Sequence, residues 1–123
     1  MPTLDSQDRS QPAAASWYLT ITRRAEEGSL VVAAAGRLGQ ASAPELAAAL
    51  LTAADEGHQV VLDLAAVDYI SSAGLQVIEM AASRLHASGM TLMVRGAEGA
   101  TKLSLDLAGP LANVSITSDA SSA

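Results

Sequence analysis

The stretch Val60-Val61-Leu62-Asp63-Leu64-Ala65-Ala66-Val67-Asp68-Tyr69-Ile70-Ser71-Ser72-Ala73-Gly74-Leu75 decides the fold. Its first five residues form a short, β-branched-rich run, apolar on both faces, the pattern of a central strand covered on both sides. From Leu75 onward the apolar positions Leu75, Ile78, Ala82 and Leu85 recur at spacings of three and four, which sets them on one helical face. Between the two patterns lies the small-residue turn Ser71-Ser72-Ala73-Gly74. A buried strand therefore feeds a helix, and in α/β sheets that junction is where ligands and partners meet the protein. Ser72 falls at or just before the first helical turn, where unpaired backbone N–H groups and the positive dipole end favour an anion. A phosphate on Ser72 is compatible with the fold. Either serine also suits an N-cap, which needs no further function.

Outward from this stretch the chain reads as strands and helices in alternation. Residues Met1 to Ser16 mix Pro, Ser, Gln, Asp and Ala without a period and predict a flexible tail. Trp17 to Arg23, alternating from Leu19, predicts a first strand; Glu26-Glu27-Gly28-Ser29 is a turn, and Leu30 to Ala35 a second strand ending at Gly36. Ser42, Pro44 and Glu45 predict a helix start with a capping box, and Gly57 its C-terminal cap. A helix over Ala73 to Ala87 follows the central strand, then a strand over Met90 to Val94. In a third helix Ala100, Leu103 and Leu107 share a face, closed by Gly109-Pro110; Val114 to Thr117 is a last edge strand. The order implies one α/β domain over residues 17–117, with a mixed, mostly parallel sheet, an antiparallel N-terminal hairpin strand and about three main helices. Ser118 to Ala123 is a second flexible tail.

With 123 residues, half of them apolar, the chain can build one proper core, made of Leu, Val, Ile, Met and Ala because Phe is absent. No apolar run approaches the ~20 residues of a membrane-spanning helix. The N-terminus lacks a basic segment followed by an apolar one, so an unexported, cytoplasmic protein without membrane insertion is expected. A net charge of −6, without a basic stripe or stacking aromatics, argues against nucleic acid as a partner. The absence of cysteine excludes thiolate chemistry.

Catalytic chemistries fail on placement. A nucleophile elbow at Ser72 needs Gly where Ile70 stands. No base is in reach either: His86 lies roughly 21 Å further along the same helix at 1.5 Å per residue, and His58 precedes the strand whose far end carries the turn. The two histidines, near Asp55 and Glu56, read as solvated side chains, so no metal is expected. Gly96-Ala97-Glu98-Gly99 lacks the lysine and hydroxyl of a phosphate-binding loop. Asp63 is expected to be hydrogen-bonded or edge-exposed in the strand, and Asp68 to form a turn in the loop after it. No cofactor is expected.

The segments Val61-Leu62-Asp63-Leu64 and Val67-Asp68-Tyr69-Ile70-Ser71-Ser72-Ala73-Gly74-Leu75 resemble the signature of the STAS domain, in particular the bacterial anti-sigma factor antagonists. Gly36-Arg37-Leu38-Gly39 with Ala43-Pro44-Glu45-Leu46 is similar to the family's stretch after its second strand. The resemblance implies a protein without catalytic activity, whose unphosphorylated form binds an anti-sigma factor that is also a serine kinase and so frees the sigma factor. The kinase, using its own bound ATP, phosphorylates one serine of the antagonist, and a serine phosphatase reverses this. The acceptor falls on Ser72, with Ser71 as the alternative. Ser71 and Gly39 stand where many members carry Asp. The implied partner surface comprises Ser71, Ser72, Ala73, Gly74, Gln76, Glu79 and Ser83, with Arg37 and Asp68 beside it. Other members of the family act as constitutive interaction subunits of lipid-transport or stress-signalling complexes, a role that would use the same helix face without modification.

Overall fold

Residues 11–15, 19–109, 111 and 113–116, those the computed structural model describes, form β1 (Gln11–Ala15), β2 (Leu19–Glu26), β3 (Ser29–Leu38), α1 (Ala43–Asp55), β4 (Gln59–Ile70), α2 (Ser72–Ala87), β5 (Leu92–Arg95), α3 (Gly99–Ala108) and β6 (Val114–Ile116). The strands lie in one sheet in chain order, antiparallel from β1 to β3 and parallel from β3 to β6. The expected α/β order and hairpin are present. Glu27 and Gly28 close the hairpin with positive φ at both positions, 50° and 85°, a two-residue turn whose twist matches that of its strands.

Several boundaries differ from the sequence reading: β2 runs on past Arg23 to Glu26 and β5 starts at Leu92, not Met90. Gln11–Ala15, expected within a flexible tail, pairs with β2 from Gln11 opposite Arg23 to Ala15 opposite Thr20. Without it β2 would present a row of unpaired backbone groups at the sheet edge, and Pro12 is acceptable there because an edge strand can spare a donor. β3 runs past Ala35 to Leu38, with Gly36 at φ 116° inside it. The tail expectations for residues 1–10, 16 and 118–123, and the strand ends expected at Trp17, Tyr18 and Thr117, lie outside the described residues.

β4 is central but fully covered on one side only. Val60, Leu62 and Leu64 are wholly buried, in one core with Leu46 and Leu50 of α1 and Ile78, Ala82 and Leu85 of α2. Burying each of the Val, Leu and Ile side chains stabilises the fold by about 1.5–3 kcal/mol. The alternate residues Val61 and Asp63 are only half-buried. Asp63 belongs to an ion-pair chain across that open face: Arg95 Nε lies 3.3 Å from Asp63 Oδ2, and Arg95 Nη1 3.0 Å from Glu26 Oε1. Arg95, with Arg24, holds the Glu26 carboxyl below its ordinary value. A polar face at the middle of the sheet replaces the second apolar layer that the run Val60–Leu64 suggested.

Asp68 lies within β4, not in a loop after it. The register against β3 slips by one residue twice: Ala33 pairs with Asp63, Ala35 with Ala66, and Arg37 with Tyr69. Each bulge adds a residue, so beyond Leu64 the buried positions fall every third residue, Leu64, Val67 and Ile70, instead of every second. That broken alternation mimics a loop in the sequence. Bonds from outside the ladder repair it, with Ala65 N–H donating to Asp63 Oδ1 at 2.9 Å and the buried Thr101 hydroxyl donating to the Val67 carbonyl at 2.9 Å.

Thr101 also explains which face of α3 turns inward. Ala100, Leu103 and Leu107, the apolar face expected from the sequence, are exposed, Leu107 by 77%, whereas Thr101 and Leu105 are buried. The helix carries two candidate stripes, and the hydroxyl that reaches Val67 selects the one turned inward.

Gly74 seats α2 on the sheet. A Cβ there would stand 2.8 Å from both Ile70 Cγ1 and Leu38 Cγ, in buried surroundings with no room to yield. Gly74→Ala is expected to cost about 1–3 kcal/mol through overpacking, outweighing the roughly 1 kcal/mol that alanine gains in a helix. Urea unfolding should show the midpoint fall; a rise would show that α2 is not held by this contact.

Candidate functional site at the start of helix α2

The strand-to-helix turn divides its two serines between structure and surface. Ser71 is the N-cap of α2, with extended backbone (φ −97°, ψ 177°), its hydroxyl accepting from Gly74 N–H at 3.4 Å and its own N–H donating to the Leu38 carbonyl at 2.9 Å. Ser72 is the first helical residue and is exposed, and among the described residues its hydroxyl has no side-chain hydrogen bond. Ala73 is half-buried against the core, and Gly74 is buried. The cap role thus belongs to Ser71 alone, which leaves the Ser72 hydroxyl at the positive end of a 16-residue helix.

The loop from β3 to α1 borders this turn. Ser42 does not form the expected capping box with Glu45: its backbone is already helical (φ −101°, ψ −11°) and its side chain makes no cap bond. The Gly39 carbonyl instead accepts from Ala43 N–H at 2.8 Å and occupies the position a capping side chain would take. The buried Ser42 hydroxyl turns back into the loop, donating to the Arg37 carbonyl at 2.8 Å and accepting from Gly39 N–H at 3.1 Å. That pair of bonds fixes the course of the chain from Arg37 to Ser42.

Arg37 and Asp68 line a cleft of about 680 Å³ together with Gly39, Gln40 and Tyr69. The Arg37 guanidinium lies over the Tyr69 ring, 4.9 Å from its centroid. A second groove of about 270 Å³ runs between α1 and α2, lined by Gln40, Pro44, Ala73, Gln76 and Met80. Gln76, Glu79 and Ser83 are exposed on α2, with Ser83 roughly 16 Å beyond Ser72 along the axis at 1.5 Å per residue. The structure therefore gathers Ser71 to Gly74 and Gln76 at the helix start, sets Arg37 and Asp68 on the adjoining cleft, and leaves Glu79 and Ser83 further along the same helix.

Tyr69, Gln40, Pro44 and Met80 escaped the sequence reading. Tyr69 carried a signal: in a chain with one Trp, two Tyr and no Phe, a tyrosine three residues before the serine is conspicuous. Met80, 44% exposed, carried none, since a methionine in an apolar helical pattern reads as core.

The histidines lie elsewhere. His58, just before β4, has Nε2 3.2 Å from Glu56 Oε1, an oxygen shared with Arg23, and Arg23 holds that carboxyl below its ordinary value. His86 is exposed in the last turn of α2. Among the described residues no group of three or more His, Asp or Glu side chains is placed to hold a metal ion, and no helix is long and apolar enough to cross a membrane.

Comparison with known proteins agrees with this architecture. The family model described as Mlab, STAS domain, matches residues 21–110, and the chain belongs to the STAS domain family. A candidate anti-sigma factor antagonist by name, BtrV of Bordetella bronchiseptica, is 43% identical over 60 residues, 48% of this chain and 52% of BtrV. The chain thus matches about half the length of that curated relative. The crystal structure of an anti-sigma factor antagonist from Mycobacterium paratuberculosis superposes with a TM-score of 0.69 at 25% identity, covering 78% of this chain and 82% of that one. The Bacillus cell fate determinant SpoIIAA in its phosphorylated form shares the fold at 12% identity, with a TM-score of 0.61 over 80% of this chain and 91% of its own.

The division between the serines is measurable. Ser71→Ala is expected to lower stability by about 0.5–1 kcal/mol, the lower part of the range for a lost cap because the bond is long. Ser72→Ala should stay within about 0.5 kcal/mol of the parent, as for an exposed position. Thermal unfolding of both variants checks this, and a larger loss for Ser72→Ala would reverse the assignment.

Proposed function

We propose that the chain is a cytoplasmic anti-sigma factor antagonist, itself without catalytic activity, whose binding to an anti-sigma factor kinase is switched off by phosphorylation of Ser72. The single observation that carries this reading is the exposed Ser72 hydroxyl at the first position of α2, free of the cap role that Ser71 fills. A kinase bound over Ser71, Ser72, Ala73 and Gly74, with Gln76, Glu79 and Ser83 along the helix and Arg37 and Asp68 beside it, would hold ATP on its own side. The Ser72 Oγ–P bond forms as the bond from the γ-phosphorus to its bridging oxygen breaks. ADP leaves, and the hydroxyl proton passes to a base of the kinase. A serine phosphatase returns the hydroxyl by hydrolysis. The names of BtrV and of the mycobacterial structure support the antagonist role, and SpoIIAA, which shares the fold, exists in a phosphorylated form.

The physical effect is asymmetric. A phosphoserine brings about −1.5 to −2 charges, which the helix N-terminus favours by about 0.3–1 kcal/mol. The domain stays folded. A partner packed on the small side chains around Ser72 must instead desolvate that charge beside exposed Asp68. A penalty of about 3 kcal/mol lowers affinity about a hundredfold.

Ser72→Ala is expected to bind the cognate kinase like the parent and to resist phosphorylation, while Ser72→Glu binds about a hundredfold more weakly. Titration calorimetry with a phosphoryl-transfer assay reads both, and equal affinities for the two variants would refute the switch. The constitutive subunit of a lipid-transport or stress-signalling complex is the second reading, favoured by the exposed α2 face of Gln76, Glu79 and Met80. Mass spectrometry of the protein from its native cells separates the two, since an unmodified Ser72 under all conditions favours the constitutive role.

A further inference from the structure

Six lysine and arginine side chains fall among the described residues, and five are tied to carboxylates: Arg23 to Glu56, Arg24 to Glu26, Arg84 to Asp55, Arg95 to Glu26 and Asp63, and Lys102 to Asp106. Arg37 is the sixth. It is exposed and, among the described residues, has no carboxylate partner; its guanidinium is held instead over the ring of Tyr69 at 4.9 Å. The strand register makes this pairing, because Arg37 stands opposite Tyr69 once the second bulge of β4 has passed over Asp68.

A guanidinium held over an aromatic ring still presents edge donors to solvent, and a fork of edge donors is the geometry that meets a carboxylate with two bonds. The stack also restricts a long side chain in advance, which lowers the ordering cost when a ligand arrives. Tyr69 is 40% exposed beside it, and arginine and tyrosine are residue types in which interfaces concentrate their binding energy. In a chain of net charge −6, an uncommitted positive charge marks one place where an acidic group is welcome.

We propose that Arg37, stacked on Tyr69, is the specificity contact for an acidic side chain of the anti-sigma factor, whose carboxylate lies against the guanidinium edge in the cleft between the β3–α1 loop and the end of β4. The proposal rests on the reading of the Ser72 face as the partner surface and adds the chemistry of the partner group. Asp68 lines the same cleft and makes no ion pair with Arg37.

The test titrates the full chain against the purified anti-sigma factor kinases of the source bacterium, taken one by one, at low and high salt. The parent is expected to bind one of them. Arg37→Gln should weaken that binding about tenfold and flatten its salt dependence, and Arg37→Glu should weaken it about a hundredfold. An acid-to-lysine change on the kinase should rescue Arg37→Glu. Unfolding midpoints should stay close to the parent's, since no described ion pair is lost and the contact with Tyr69 is an exposed one. Affinity of Arg37→Glu within twofold of the parent overturns the proposal. Slower phosphoryl transfer with undiminished binding overturns it too, because Arg37 would then face the kinase's nucleotide. Failure of the parent to bind any anti-sigma factor overturns the reading of the face itself, so the two failures remain apart.

Discussion

The contact between Gly74 and the side chains of Leu38 and Ile70 is the constraint on which the rest of the site depends. Its geometry leaves no space for a Cβ, so the first turn of α2 lies directly on the ends of β3 and β4. Once the helix is seated there, Ser71 is drawn inward, its N–H bonded to the Leu38 carbonyl and its hydroxyl capping the turn. Ser72, one residue on, has nowhere to point but outward. An exposed hydroxyl at the positive end of a helix thus follows from a packing requirement two residues away.

The same junction is shaped by the two bulges of β4. They lengthen the strand relative to β3 and bring Tyr69 opposite Arg37, next to a loop closed by the buried Ser42 hydroxyl. The inserted residues leave backbone groups for which the ladder has no partners, and Asp63 and Thr101 satisfy two of them. A hydroxyl from α3 thereby supports a strand end that serves α2. Irregular strands of this kind are where sheets re-aim side chains toward a site, and here the result is a cleft lined by Arg37, Asp68 and Tyr69 at the strand end that leads into α2.

Much of this was legible in the sequence because local chemistry and the global fold agree there. The run from Val60 and the apolar spacing from Leu75 mark a strand and the helix after it, Gly28 and Gly57 mark turns, and the element order follows from them, although Gly36 lies within β3. The rest was hidden for identifiable reasons. The sequence between Leu64 and Ile70 loses its alternation to the bulges, so Asp68 looks like a loop residue. The strand at Gln11–Ala15 is held by ladder bonds that any sequence can make, with no apolar pattern to announce it. The capping box at Ser42 gave way to a backbone carbonyl, which leaves no mark in the sequence. In α3, leucines at two helical phases competed, and a single threonine hydroxyl decided between them. For the site, Ser72 was accessible through its position at the junction, whereas Tyr69 and Met80 acquire meaning only once the register and the α1–α2 groove are known.

In the proposed switch, charge on Ser72 is tolerated by the domain and rejected by its partner. The most direct measurement compares the protein carrying genetically encoded phosphoserine at position 72 with the unmodified protein, by denaturant unfolding and by titration with the cognate anti-sigma factor. The unfolding free energy is expected to be unchanged or raised by up to about 1 kcal/mol, with affinity about a hundredfold lower. A destabilised domain, or a phosphorylated protein that binds as tightly as the unmodified one, would contradict it.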